Sequence, residues 1–520
     1  MSLMKAMATV AGLTGVSRVA GFVRDILTAS ILGAGPVADA FFVALKIPNF
    51  FRRVTAEGAF SVSFVPLYSG MLAEKGEEKA DEFAGNVLSI MAIVLSVFSA
   101  LIMLVMPWVI VVIAPGFGDD PVRYPLAVDL TRITFPYLLL MSMTALLGGV
   151  LNAHDRFAPF AIAPVLFNLT MITFLLCSRF GFETPGHALA WGVFVSGFLQ
   201  LGVLWVCIKR AKIPVTFRRP RMTVKMKKLL TLMGPGVIGA GVMHINLFAD
   251  MVIASLLPTG SISYLYYADR LNQLPLGIVG IAVGTALLPM LSRAMATGDA
   301  EKAGHLFNRA LEICFFVALP AAVGLFVASY PIVAALFEHG AFDQKATIMT
   351  TLVLTAYALG MPAYVAVKVY STAFWARQDT ATPVKIAVVC TLFNILVALF
   401  LIYGAGVGVV GIAVSTAMAG WLQIALLGWV LRRRNDLHFD AQLKRNFVKI
   451  IIACVAMGTY LYVTKAFIRD WYLGEAATHT GQIMAVVVLV GGGAAVYAAG
   501  VVLTGVVKIG DMKKYLKKGE

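Results

Sequence analysis

The chain has 520 residues, of which 60% are hydrophobic and 13% charged, with a formal net charge of +15 and a mean hydropathy of +0.86. Soluble domains carry roughly 45–50% apolar and about 25% charged residues, so a water-soluble multidomain enzyme, a disordered chain and a disulfide-stapled secreted protein are all excluded. At about 20 apolar residues per span, the composition predicts an all-α polytopic membrane protein.

In chain order, apolar runs predict fourteen spans, at 6–32, 38–70, 84–113, 126–151, 158–178, 186–208, 230–257, 261–291, 306–336, 347–374, 384–403, 407–431, 448–468 and 481–507. The second and eighth are long enough to project from a bilayer or to bend. The first carries Arg18, Arg24 and Asp25 and has no short uncharged stretch of a cleavable signal. Five cysteines (Cys177, Cys207, Cys314, Cys390 and Cys454) lie far apart inside apolar segments, without metal-ligand spacing, and are predicted to be small core residues.

The basic residues fall in short runs between spans, which argues against nucleic-acid binding. Loops after even-numbered spans carry Lys75 and Lys79, Arg156, the 209–228 cluster, Arg293 and Lys302, Arg377, and Arg432–Arg434 with Lys444 and Arg445. Loops after odd-numbered spans carry Arg123, Arg179, Lys345 and Arg469, each near an acid. The positive-inside rule places both termini in the cytoplasm, with the basic runs against anionic membrane lipids.

The chain also repeats itself. FVPLYSGMLAEKGEEKA at 64–80 aligns with LLPMLSRAMATGDAEKA at 287–303, so that Pro66 meets Pro289 and Glu78-Lys79-Ala80 meets Glu301-Lys302-Ala303. The offset of 223 residues recurs where Gly197–Gln200 meets Gly420–Gln423, and Leu166-Phe167-Asn168 meets Leu392-Phe393-Asn394 at 226. Six spans per half insert the same way round, as in parallel-repeat transporters. The predicted organisation is an N-lobe at 1–210, a basic cytoplasmic linker at 211–228, a C-lobe at 229–433, and two extra spans with a basic tail at 434–520.

Charges inside spans are costly and mark function by default. Besides Arg18, Arg24 and Asp25, the second span holds Asp39, Lys46, Arg52, Arg53 and Glu57, the seventh His244 and Asp250, and the eighth Asp269 and Arg270. By the repeat, these spans correspond, which gathers the charges between the two lobes. Arginine is in surplus there, and its planar fork suits phosphate oxygens, so one reading is a cavity for an anionic, phosphate-bearing ligand. The other is that Arg24–Asp25, Arg52/Arg53–Glu57 and Asp269–Arg270 are pairs that hold helices together. Lys368 and Lys465 are expected to snorkel. Asp250 and Asn394 could offer oxygens to a monovalent cation, or hydrogen-bond between helices. No nucleophile–base set, metal cluster or nucleotide motif stands in a suitable context. The chain is therefore not expected to be an enzyme or to carry a cofactor. A cation gradient, the membrane potential or the substrate's own gradient is left as the driving force.

SRVAGFVRDILTASILGAGPVADAFFVALKIPNFFRRVTAEGAFSVSFVPLYS, YYADRLNQLPLGIVGIAVGTALLPMLS and RQDTATPVKIA together resemble the MurJ family, lipid II flippases of the MOP exporter superfamily. The resemblance covers essentially the whole chain. It implies transport of undecaprenyl-pyrophosphate-linked disaccharide pentapeptide from the inner to the outer leaflet of the cytoplasmic membrane, in the service of peptidoglycan synthesis. It further implies cell-wall synthesis proteins as partners and a prenyl-tail groove on the last two spans. Substrate-binding residues carry over at Arg18, Arg24, Asp39, Arg52, Ser263 and Arg270, with Asp25 and Arg53 beside them, and cavity-lining positions at Ala29 and Gln273. Gln273 stands where some relatives have Glu. Asp250 and Asn394 match a cation site of part of the family, but Ala398 stands where that site has an acid. A multidrug extruder of the superfamily would show surplus acids instead, and a lipid pyrophosphatase would need a metal-binding acidic cluster. A polysaccharide-lipid flippase of the superfamily is the alternative transporter.

Overall fold

The computed structural model describes residues 3–53, 60–282, 287–297, 299–434, 438–473 and 478–507, with backbone alone for 3–7, 235–245, 247, 278–282 and 300. Glu57 and the basic tail beyond 507 lie outside the described residues, as does the side chain of His244. The described residues are helical, with short 3-10 and π turns and no strand.

The helices are α1 (Leu3–Leu32), α2 (Pro36–Arg52), α3 (Ser61–Lys75), α4 (Glu77–Leu104), α5 (Met106–Ile113), α6 (Arg123–Thr134), α7 (Tyr137–Ala153), α8 (Ala158–Leu176), α9 (Pro185–Arg210) and α10 (Val224–Ser255). They continue as α11 (Ser261–Ala282), α12 (Leu288–Ala296), α13 (Ala300–Val327), α14 (Ser329–Phe337), α15 (Gln344–Trp375), α16 (Ala381–Leu399), α17 (Val410–Arg433), α18 (Ala441–Phe467), α19 (His479–Val486) and α20 (Gly492–Leu503). Local chemistry sets many of the starts. Pro36 and Pro185 occupy first-turn positions, where a missing N–H costs nothing. Thr184, Thr223, Asp299, Asp343, Asp440 and Thr478 each accept an amide of their helix's first turn.

Among the described residues, ten helices are long and apolar enough to cross a membrane, and they correspond to ten of the fourteen predicted spans. The other four predicted spans, the first, second, seventh and eighth, are those that carry the intramembrane charges; the structure describes them as α1, α2 with α3, α10, and α11 with α12. Residues 54–59 and 283–286, between the pieces of the second and eighth spans, lie outside the described residues. Pro136 divides the fourth span into α6 and α7.

The repeat is visible in the helix boundaries. α4 and α13 are both 28 residues long and related by 223 positions (77 to 300, 104 to 327). α8 and α16 are both 19 residues long at the same offset (158 to 381, 176 to 399).

By contact the chain divides into two compact units, residues 1–263 with 340–342, and residues 264–339 with 343–520. In the first unit α1 packs on α8, α8 and α7 on α9, α2 on α6, and α3 and α4 on α7. Its core stacks Phe60, Phe64, Tyr68 and Phe83 against Leu146, Leu147, Val150 and Leu204. Val94, Val97, Leu101 and Leu104 of α4 are exposed, as a lipid-facing stripe should be.

The basic linker is an ordered strap. Residues 213–223 run extended, with Ile213 and Val215 buried in the core of the first unit and basic side chains outward. Asn86 of α4 reads the Arg221 backbone from both sides, donating to its carbonyl and accepting its amide, both at 2.8 Å. Ser89 accepts the Arg218 amide at 2.8 Å. A β-carbon at Gly85 would collide with the Thr216 carbonyl oxygen, so glycine lets the strap lie against the helix.

In the second unit α15 packs on α13 and α17, and α16 on α17, over Phe307, Cys314, Val369, Phe374 and Leu427. The last two spans dock here, α18 on α13 and α20 on α18. Arg309 of α13 donates from Nη2 to both oxygens of Asp440 (2.8 and 2.7 Å) and from Nη1 to Glu312, which accepts from Asn446 of α18. Lys465 donates to the Val327 carbonyl at the end of α13 (2.9 Å), and Tyr497 of α20 to the Phe316 carbonyl (2.7 Å). Lys465 therefore satisfies a helix-end acceptor rather than only snorkelling. All five cysteines are free, but only Cys314, Cys390 and Cys454 are buried. Cys177, just past the end of α8, is exposed, and Cys207 is half-buried at the edge of the first unit's core, which corrects the core prediction for Cys177 and in part for Cys207.

Candidate functional site

In the first unit α1 carries four of the candidate residues, Arg18, Arg24, Asp25 and Ala29. Arg24 is closed in. Its Nε and Nη2 bond Asp25 Oδ1 at 3.1 and 2.7 Å, and its Nη1 bonds Asn168 Oδ1 of α8 at 2.9 Å. Asn168 in turn donates to the Ser17 carbonyl at 2.9 Å, tying α8 back to α1. The Phe167 ring lies 5.7 Å from the guanidinium carbon. Arg24 is 9% and Asp25 4% exposed, so this is a buried charge network rather than a surface pair. Gly21 leaves room for it, since a β-carbon there would press on the Asn168 amide.

Arg18, on the same helix, differs. It is exposed, and among the described residues no ion pair or hydrogen bond engages its guanidinium. Ala29 is fully buried.

On α2, Asp39 is fully buried and its two oxygens accept three donors. Oδ2 takes the Gly260 amide (2.7 Å), and Oδ1 takes the Ser263 amide (3.0 Å) and hydroxyl (2.6 Å). An acid from α2 thus caps the amino end of α11, where unsatisfied amides and the helix dipole favour negative charge. Near it, buried Arg123 bonds Asp120 at 2.6 Å and stacks over Phe117 at 4.6 Å. Burial works to raise the Asp120 carboxyl, but hydrogen bonds from the Arg123 amide and guanidinium and the Val122 amide outweigh it and hold the group below the usual carboxylate range. At the other end of α2, half-buried Arg52 donates to Asn49 (3.1 Å), and Arg53 is exposed. Asp250 on α10 is half-buried and accepts from Asn246 at 3.4 Å.

In the second unit, Arg270 is half-buried with its guanidinium 4.6 Å above the Tyr266 ring, one turn back on α11. Asp269 accepts from exposed Gln273. Asn394 on α16 is buried. Lys368 donates to the Leu276 carbonyl at 3.5 Å. Sequence reading singled out neither Asn168 as the Arg24 partner nor Asn246 beside Asp250, because an amide among apolar residues carries no local pattern. Among the described residues no cluster of three or more His, Cys, Asp or Glu could hold a metal ion.

The family model described as lipid II flippase MurJ matches residues 28–480. A probable lipid II flippase MurJ of Rhizobium meliloti (strain 1021) is 39% identical over 526 aligned residues, covering 100% of this chain and 97% of the relative. The lipid II flippase MurJ of Burkholderia cenocepacia is 34% identical, over 89% of this chain and 90% of its own. Among solved structures, a lipid II flippase MurJ in an inward closed conformation superposes with a TM-score of 0.77 at 29% identity, covering 94% of this chain and 97% of that one. An inward-facing MATE-family multidrug transporter of the MOP superfamily shares the fold, with a TM-score of 0.67 at 16% identity over 81% of this chain and 94% of its own. The chain belongs to the lipid II flippase MurJ family, multi-pass membrane transporters rather than enzymes.

Proposed function

We propose that this protein carries lipid II from the inner to the outer leaflet of the cytoplasmic membrane by alternating access, and that arginines of α1, α2 and α11 recognise its pyrophosphate. Family membership supports the substrate. The observation that carries the anion reading is Arg18, an exposed guanidinium without an ion pair among the described residues, six residues from the buried Arg24–Asp25 pair on the same helix. A charge kept in a membrane span without a counter-charge needs a compensating partner, and an anionic ligand supplies one. Arg52, Arg53 and Arg270, none of them fully buried, extend the same chemistry, while Asp25, Asp39 and Ser263 hold the helices that present them.

Both termini lie on the cytoplasmic side in this reading, because the basic strap and the other basic loops follow even-numbered spans. Asp250 and Asn394 are the candidate oxygen donors for a coupling cation, and the membrane potential is the other source of work. Cell-wall synthesis proteins are the expected partners. The test has two arms. The gene should rescue cells depleted of their own lipid II flippase, and the purified protein in liposomes should move lipid II between leaflets. Rescue lost on Arg18→Ala with normal membrane abundance supports the anion site. Unchanged translocation in Arg18→Ala and Arg270→Ala would overturn it, and preference for a polysaccharide-linked lipid would favour the other MOP transporter.

A further inference from the structure

Tyr68 on α3, Asp81 on α4 and His154 at the end of α7 form a chain of hydrogen bonds that lipid transport does not explain. The Tyr68 hydroxyl donates to Asp81 Oδ1 at 2.6 Å and lies 3.0 Å from His154 Nε2. Tyr68 is fully buried and Asp81 is 1% exposed, while His154 is half-buried at the end of α7. The second oxygen of Asp81, Oδ2, is buried and has no hydrogen-bond partner among the described residues. Among the described residues no lysine or arginine lies within ion-pair distance of Asp81; the charged groups within electrostatic reach are Glu77 on α4 and Arg218 on the strap, besides His154. Buried carboxylates normally have their oxygens bonded or paired. A bare, buried oxygen beside a hydroxyl and an imidazole is the arrangement of a group that also exists protonated.

The hydroxyl can donate in one direction while accepting from the other, so the chain has two proton arrangements with the same heavy-atom geometry. In the first, Asp81 is ionised and accepts from Tyr68, and His154 donates its Nε2 proton to the Tyr68 oxygen. A proton then added at His154 Nδ1 can be passed inward. The Nε2–H bond breaks as a new O–H bond forms on Tyr68, and the original Tyr68 O–H bond breaks as Asp81 Oδ1 gains the proton. Tyr68 ends as it began, His154 ends neutral with its proton on Nδ1, and Asp81 ends as a neutral acid. In a low-dielectric core, three neutral groups are favoured over an imidazolium and a carboxylate with one bare oxygen.

We infer that Tyr68, Asp81 and His154 form a proton-binding relay, in which a proton taken up at His154 is stored on Asp81. The relay joins α3, α4 and the end of α7, and occupancy reverses the direction of both hydrogen bonds that hold them.

The test uses the full chain in lipid bilayers and infrared difference spectra between pH values. Over the range below neutral pH, acidification should produce a carboxylic-acid C=O band that Asp81→Asn lacks. His154→Gln has no ring nitrogen that can change from donor to acceptor toward Tyr68 as the proton moves, so the midpoint of the band should move by at least about one pH unit. Tyr68→Phe should remove it from this range. The same band in Asp81→Asn, or an unmoved midpoint in His154→Gln, overturns the relay. Should the variants fail to fold, nitrogen NMR of His154 in the unaltered protein decides. A switch from the Nε2–H to the Nδ1–H neutral form on acidification supports the relay, and a doubly protonated imidazolium overturns it. Both readouts are independent of which lipid the protein transports.

Discussion

Asp39 on α2 and Ser263 on α11 share two hydrogen bonds, from the serine hydroxyl at 2.6 Å and its amide at 3.0 Å, although 224 residues separate them. The acid is fully buried, so its removal strands donors that water cannot reach. Asp39→Ala should lower stability by about 1–3 kcal/mol, the cost of leaving buried donors unsatisfied. Ser263→Ala removes one donor only and should cost about 0.5–1.5 kcal/mol. Thermal unfolding of the purified variants measures both. Equal and negligible losses would show that the cap contributes nothing to holding the start of α11.

Gly85→Ala should release the strap. The added methyl collides with the Thr216 carbonyl, and backbone against backbone cannot yield without moving residues 213–221 off α4. The Asn86 and Ser89 bonds would be lost with it. Trypsin should then cut faster after Arg218 and Arg221 than in the unaltered protein. Asn86→Ala should do the same without any clash, which separates lost bonding from steric damage.

The clamp between α13 and α18 should be acid-sensitive. Burial works to raise the Asp440 carboxyl, but the Leu443 amide and the Arg309 guanidinium outweigh it and hold the group below its usual range. A carboxyl depressed in the folded state contributes stability above its unfolded value, about 3.9, and loses it as pH falls through the folded value. Asp440→Asn should therefore be less stable than the unaltered protein at neutral pH, and the gap should close as pH drops below about 4. A gap that stays constant with pH would show that the Arg309–Asp440 pair is not its source.

The sequence foretold the helices better than the links between them. Hydropathy located the apolar spans, and one charged Glu-Lys-Ala triplet sufficed to find the 223-residue repeat that α4 and α13 reproduce at both ends. Arg24 and Asp25 were legible as a pair because they are adjacent. Asn168, which completes that network from 144 residues away, was not, since its only signal is an amide in an apolar run. Asp39 drew attention as a charge in a span, but its partner is a helix end, and backbone amides leave no mark in composition. The strap was read as a linker because its two buried residues, Ile213 and Val215, make too short an alternation to stand out against nine basic neighbours. Tyr68, Asp81 and His154 lie on three elements, each unremarkable alone.

Arg24 decides between recognition and scaffolding. Its guanidinium bridges Asp25 and Asn168, a geometry that a lysine ammonium cannot reproduce with the same fork. If Arg24 also receives pyrophosphate when the site opens, Arg24→Lys should lose much of lipid II translocation and Arg24→Ala nearly all of it. Both should still insert, because Arg24→Ala removes a charge and lowers the cost of insertion, and Arg24→Lys adds none. Arg24→Ala also takes a cation from buried Asp25, which for a fully buried pair costs about 3–5 kcal/mol, so its abundance in the membrane should fall. Changing Arg24 and Asp25 together to Ala removes both charges and should restore abundance. The two roles part at this double variant. Scaffolding alone requires translocation to return with the protein, whereas recognition requires it to stay lost. Quantifying membrane-embedded protein and lipid II translocation side by side in the three variants reads both quantities, and the expected result is recovered abundance without recovered transport.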